Sequence, residues 1–173
     1  MFEPRNSDAV ARAVSAVGSA QGRTYMESYS SSIRVFLAED NDADAMIVGE
    51  VLRTHPADYE LVRVKDGEAA LDFVATLEDS PTLPTPHIFV LDLHLPKHDG
   101  LEIIKVIRAS LRCRALPIIA LSASDSPQEL ERVESHSAIY FRKPSDFESY
   151  MKLAAVVQNV IRDQPCEEST HER

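Results

Sequence analysis

The stretch IFVLDLHLPKHDG, residues 88–100, decides how the chain is read. Ile88, Phe89, Val90 and Leu91 run apolar into Asp92, and beyond Pro96 and Gly100 an apolar periodicity continues over residues 101–111. A short unbroken apolar run bounded by loop residues is the pattern of a strand buried on both faces, as parallel strands are. A carboxylate at its carboxyl end stands where open α/β sheets place their ligands. Asp92 is therefore the first candidate for chemistry, although a strand-ending Asp taken alone reads first as a turn former.

Upstream, IRVFLA (residues 33–38) reads as a second buried strand, followed by the acidic corner Glu39-Asp40-Asn41-Asp42 and a helix. Asn41 or Asp42 can cap that helix, with Ala43, Ile47 and Val51 on its inner face. His55-Pro56 stops it, residues 59–64 alternate as a strand, and Asp66-Gly67 turns into a helix over 68–77. Pro81, Pro84 and Pro86 make residues 79–87 a loop.

Downstream of the helix over 101–111 come a strand at 117–121, a polar loop at 122–126, and a helix with Pro127 as its first residue. Residues 138–141 form a short strand that Arg142-Lys143-Pro144 ends. Ser145 or Asp146 caps the last helix, whose core face carries Phe147, Met151, Ala154, Val157 and Ile161. Five strands, each followed by a helix, predict an α/β fold: a doubly wound five-stranded parallel sheet with helices on both faces. Residues 1–32, rich in Ala and Ser, read as a poorly ordered N-terminal extension, with Met26 an alternative start. Residues 33–162 are the domain, and 163–173 a polar tail.

Composition narrows the function classes. The 173 residues are 44% hydrophobic and 27% charged, enough for one full core, and the formal net charge is −10. That sign argues against nucleic acid as a partner, since binding phosphate backbones needs clustered Lys and Arg. No apolar run approaches the roughly 18 residues of a membrane span, and Arg12 and Ser15 break the Ala/Val-rich stretch at the N-terminus, so a cytoplasmic location is expected. Cys113 and Cys166 make neither a disulfide framework nor a metal-ligand pair, and Cys113 reads as half-buried at a helix end. Neither Gly-x-Gly-x-x-Gly nor a P-loop is present, which removes nucleotide binding by those routes.

In a doubly wound sheet the strands' carboxyl ends share one edge. There the pattern collects Glu39, Asp40, Asp92, Ser122 and Lys143. Crowded carboxylates repel, and a small hard cation relieves them; Mg²⁺, which accepts one or two carboxylates, waters and a phosphate oxygen, suits the set. One carboxylate can then attack a phosphoryl group, with the cation and Lys143 neutralising its charge and the Ser122 hydroxyl donating to a phosphoryl oxygen. Taken singly, Asp40 reads as a helix cap, Ser122 as a loop former and Lys143 as a solvated charge. His94 and His98 read as exposed loop side chains.

The motifs AEDN (38–41), VLDLHLPKHDG (90–100), PIIALSAS (117–124) and YFRKP (140–144) resemble those of the response-regulator receiver domains of bacterial two-component signalling. The resemblance implies a flavodoxin-like receiver fold, Asp92 as phosphoacceptor, and Mg²⁺ held by Glu39, Asp40, Asp92 and the backbone carbonyl of His94. It also implies Lys143 as phosphate partner with a cis bond to Pro144, and Ser122 and Tyr140 as switch hydroxyl and switch aromatic. The Pro-rich loop and DLHLPKHDG are most similar to the small stand-alone regulators found with bacteriophytochromes. His136-Ser137-Ala138 departs from the Gly-Ala common before the last strand.

The expected function is that of a stand-alone response regulator, a phosphoacceptor and not an enzyme in the usual sense. It takes its phosphoryl group from a sensor histidine kinase, a bacteriophytochrome among the candidates, and works through protein contacts, including homodimerisation. The alternatives are an intermediate phosphorelay carrier and an aspartyl-nucleophile phosphatase. Phosphatases of the haloacid dehalogenase type carry a second Asp two residues after the nucleophile, where this chain has His94.

Overall fold

The computed structural model describes residues 32–54 and 57–163. All of the N-terminal extension but Ser32, the His55-Pro56 stop and nearly all of the polar tail lie outside the described residues. Within them, β1 (Ile33–Ala38), β2 (Tyr59–Val64), β3 (Ile88–Asp92), β4 (Ile118–Ser122) and β5 (Ile139–Arg142) form one sheet. They alternate with α1 (Asp42–Arg53), α2 (Gly67–Asp79), α3 (Gly100–Ala109), α4 (Pro127–Glu134) and α5 (Phe147–Arg162). Every strand pairing is parallel and the order is β2-β1-β3-β4-β5. The expected doubly wound sheet is the observed one.

The apolar runs divide their side chains between two cores by strand alternation. Phe36, Phe89, Leu91, Ile118 and Ala120 join the core under α2, α3 and α4, and Phe36 stacks on Phe73 of α2 at 4.4 Å between ring centroids. Val35, Leu37, Ile88, Val90, Ile119 and Leu121 join the core under α1 and α5. The central strands are buried on both sides, so no polar residue can stand within them; polarity is confined to their ends.

The inner faces of two helices differ from the expected ones. On α1 the buried residues are Ala45, Val48, Gly49, Val51 and Leu52, while Ala43 is exposed and Ile47 only half-buried. The helix carries two overlapping apolar stripes, and the sheet buries Ala45, Val48 and Leu52 together with Val51 of the expected one. On α5 the buried set is Tyr150, Leu153, Ala154 and Val157, so Ala154 and Val157 face inward as expected, whereas Phe147, the first residue of the helix, is 57% exposed. Cys113 is fully buried, and burial pushes its thiol pKa up. The peptide bond between Lys143 and Pro144 is trans, not cis; the two isomers of an X–Pro bond differ by only about 1 kcal/mol, so residue identity alone cannot select between them.

Candidate functional site

The sheet order reverses direction between β1 and β3, which leaves a crevice at their carboxyl ends. Glu39 and Asp40 leave β1 on one side of it and Asp92 ends β3 on the other, while Ser122 ends the next strand and Lys143 follows β5. The loop after Asp92 is fixed by a close approach: Gly100 N–H donates to the Leu93 carbonyl at 3.0 Å, and a Cβ on Gly100 would lie 2.6 Å from the Asp92 carbonyl oxygen. Only glycine lets α3 start that near the strand end. Lys97, at φ 71°, ties the same loop to α2 through Asp66 at 2.9 Å and Glu68 at 2.6 Å, contacts that raise its pKa to about 12.

Lys143 is the hub of the crevice. Its ammonium donates to Asp92 Oδ2 at 2.6 Å and to Glu39 Oε1 at 3.0 Å, and lies 3.1 Å from Asp44 Oδ2. Burial alone would lower the Lys143 pKa, but hydrogen bonds to Asp92 and Glu39 outweigh it and the pKa is raised. Glu39 is fully buried, and burial holds its carboxyl above the usual range despite the ammonium beside it. Asp92 is 4% exposed; its Oδ1 accepts the His94 N–H at 2.8 Å.

Asp40 is exposed, yet one carboxylate oxygen each from Glu39, Asp40 and Asp92 lies within 4.8 Å of the other two. Glu39 Oε2 is ion-paired with Lys143 Nζ at 3.0 Å. Three carboxylates that converge on one point beside a single ammonium are an arrangement a divalent cation fits.

Ser122 is fully buried. Its Oγ accepts the Ser124 N–H at 3.1 Å and donates to Glu129 Oε1, and its carbonyl accepts the Lys143 N–H at 2.6 Å. Tyr140, half-buried on β5, donates its hydroxyl to the Ser124 carbonyl. His94 is exposed in its side chain, with Nε2 3.8 Å from Glu129 Oε2, and His98 pairs with Glu102.

The structure thus brings Glu39, Asp40, Asp92 and Lys143 into one crevice, with Ser122 and Tyr140 along its β4–β5 side. Two residues of this neighbourhood escape the sequence reading. Asp44 lies in the first turn of α1, directly after the acidic corner Glu39-Asp40, and that nearness in sequence could have pointed to it; the buried Tyr150 beside it has its hydroxyl pKa raised by burial and then by Asp44. Glu129 gives no such signal, because its contact with Ser122 depends on how α4 sits.

The sequence matches the model of the response regulator receiver domain over residues 35–155. It is 30% identical to the response regulator Rcp1 of Synechocystis sp. over 126 residues, 72% of this chain and 86% of that protein. Among solved structures it resembles the Mn²⁺-bound form of Rcp1, with TM-score 0.65, 28% identity, and coverage of 73% of this chain and 91% of the other. It also resembles the response regulator RPA3017 in red light signaling of R. palustris, with TM-score 0.63, 31% identity and the same coverage. With its five-stranded parallel sheet and an acidic crevice at the point where the strand order reverses, the chain belongs to the response regulator receiver family.

Proposed function

We propose that Asp92 accepts a phosphoryl group from a sensor histidine kinase in a Mg²⁺-dependent reaction, and that the protein signals through contacts with other proteins. The observation that carries this reading is the Lys143 ammonium bridging Asp92 and Glu39 in a buried crevice with three carboxylates converging on one point. An ammonium held there by two acids is poised to neutralise a dianion that arrives on one of them.

In the transfer step an Asp92 carboxylate oxygen attacks phosphorus, the phosphorus–nitrogen bond of the donor phosphohistidine breaks, and the electron pair leaves with the imidazole. Lys143 and the Ser122 hydroxyl act on the phosphoryl oxygens. Glu39, Asp40, Asp92 and the His94 carbonyl would hold Mg²⁺, which supplies charge neutralisation to those oxygens when bound. Proteins of this family are signalling proteins, and the half-buried Tyr140 with the exposed apolar residues Leu130 and Ile139 gives α4 and β5 a surface for a partner or a second copy. The relative in red light signaling makes a phytochrome-type kinase the first donor to try.

The test is direct. Wild type and Asp92→Asn are incubated with acetyl phosphate and Mg²⁺ and weighed by intact mass spectrometry. Wild type should gain one phosphoryl group and the variant none; labelling of the variant, or of neither protein, overturns the assignment.

A further inference from the structure

Glu129 does not do what its place in the sequence offers. Ser126-Pro127-Gln128-Glu129 has the S-x-x-E spacing of a capping box, in which the Glu reaches back to the N–H of the cap residue. That N–H is taken instead by Ser124 Oγ at 3.0 Å, and Ser126 Oγ donates to Gln128 at 2.9 Å. Glu129 turns inward to the sheet edge, where Oε1 accepts the Ser122 hydroxyl and Oε2 lies 3.8 Å from His94 Nε2. Its side chain is only 18% exposed there.

Ser122 stands on the strand beside Asp92, one position past the Asp92–Leu121 pairing. A hydroxyl has a single proton to donate. While Glu129 holds that proton, no phosphoryl oxygen on Asp92 can have it, and a second anion brought close to the carboxylate is repelled by it. From these contacts we infer that Glu129 is a positioning residue: it occupies the Ser122 hydroxyl as a resident anion in the unphosphorylated protein and is displaced when Asp92 carries a phosphoryl group.

The inference rests on the reading of Asp92 as phosphoacceptor. Glu129 sits in the first turn of α4, a helix whose only buried residue is Val133. Displacing the carboxylate therefore removes one of the few ties of α4 to the sheet edge and leaves Val133 as its buried anchor. The same residue sets how tightly the site takes a phosphoryl group and passes the event to the helix.

The experiment measures the affinity of the full chain for beryllofluoride, a phosphoryl mimic, in the presence of Mg²⁺. Wild type is compared with Glu129→Gln and with Glu131→Gln, which removes a charge from the exposed side of the same helix. Glu129→Gln should bind roughly tenfold more tightly, the low end of what one neighbouring charge does to an ionisation, and Glu131→Gln should match wild type. In a Ser122→Ala background the Glu129→Gln gain should shrink, since the two residues act through one hydrogen bond. No gain in Glu129→Gln, an equal gain in Glu131→Gln, or a gain undiminished without the Ser122 hydroxyl overturns the inference while leaving Asp92 in its role. Failure of wild type to bind the mimic, or binding that survives in Asp92→Asn, overturns the phosphoacceptor reading and the inference together.

Discussion

β3 and β5 lie two strands apart in one sheet, yet every residue of β3 is buried and none of β5 is. The helices that follow them show the same contrast: α3 buries five residues and α4 one. Asp92, the proposed acceptor, thus stands at the end of a fully buried strand, while Tyr140 and α4 occupy the side where little apolar surface holds the backbone down. Local stability follows local burial, so the second region can rearrange without unfolding the first. A receiver needs both properties, a fixed point for chemistry and a nearby part with two arrangements.

The difference should appear first in stability. Phe89→Ala in β3 removes a fully buried ring and should cost about 3–5 kcal/mol, whereas Ile139→Ala in β5, where the side chain is 39% exposed, should cost under about 1 kcal/mol. Urea unfolding of the two variants measures both, and equal losses would break the contrast.

How much of this was legible in the sequence follows the same division. β3 could be read because a short apolar run bounded by loop residues fits a strand buried on both faces, Asp92 and Ser122 because a strand end is where such a run stops, and Lys143 because Lys-Pro ends the last strand. The inner face of α1 could be read only at Val51, since Ala43 and Ile47 on its stripe compete with Ala45, Val48 and Leu52, and contact with the sheet selects the latter. Glu129 was hidden for a related reason. Its spacing from Ser126 satisfies a local rule, and the tertiary contact with Ser122 overrides that rule.

At the rigid end, pH sharpens the account. Burial holds the Glu39 carboxyl above its ordinary 4.5. As pH rises from 4.5 to that raised value, the unfolded chain has already released the proton that the folded state keeps, so stability falls with pH across this window. Glu39→Gln should flatten the slope in metal-free urea titrations, and an unchanged slope would mean another group sets it.

The smallest expected effect lies in the turn before β5. Ser137 stands at φ 54°, with its carbonyl clamped by Arg108 at 2.7 Å, where the family pattern has glycine. Ser137→Gly should relieve the left-handed backbone and stabilise the domain by roughly 0.5–1 kcal/mol. A loss of stability on thermal melting would show that Ser137 supports the turn in some other way.

Hydrogen exchange of the full chain, with and without beryllofluoride and Mg²⁺, tests the central claim most directly, because it reads acceptor and responding regions in one experiment. Exchange should change across residues 122–142 in the wild type, stay constant in β1 and β3, and show no ligand dependence in Asp92→Asn. A wild type that ignores the mimic, or an Asp92→Asn variant that responds as wild type does, would contradict the account.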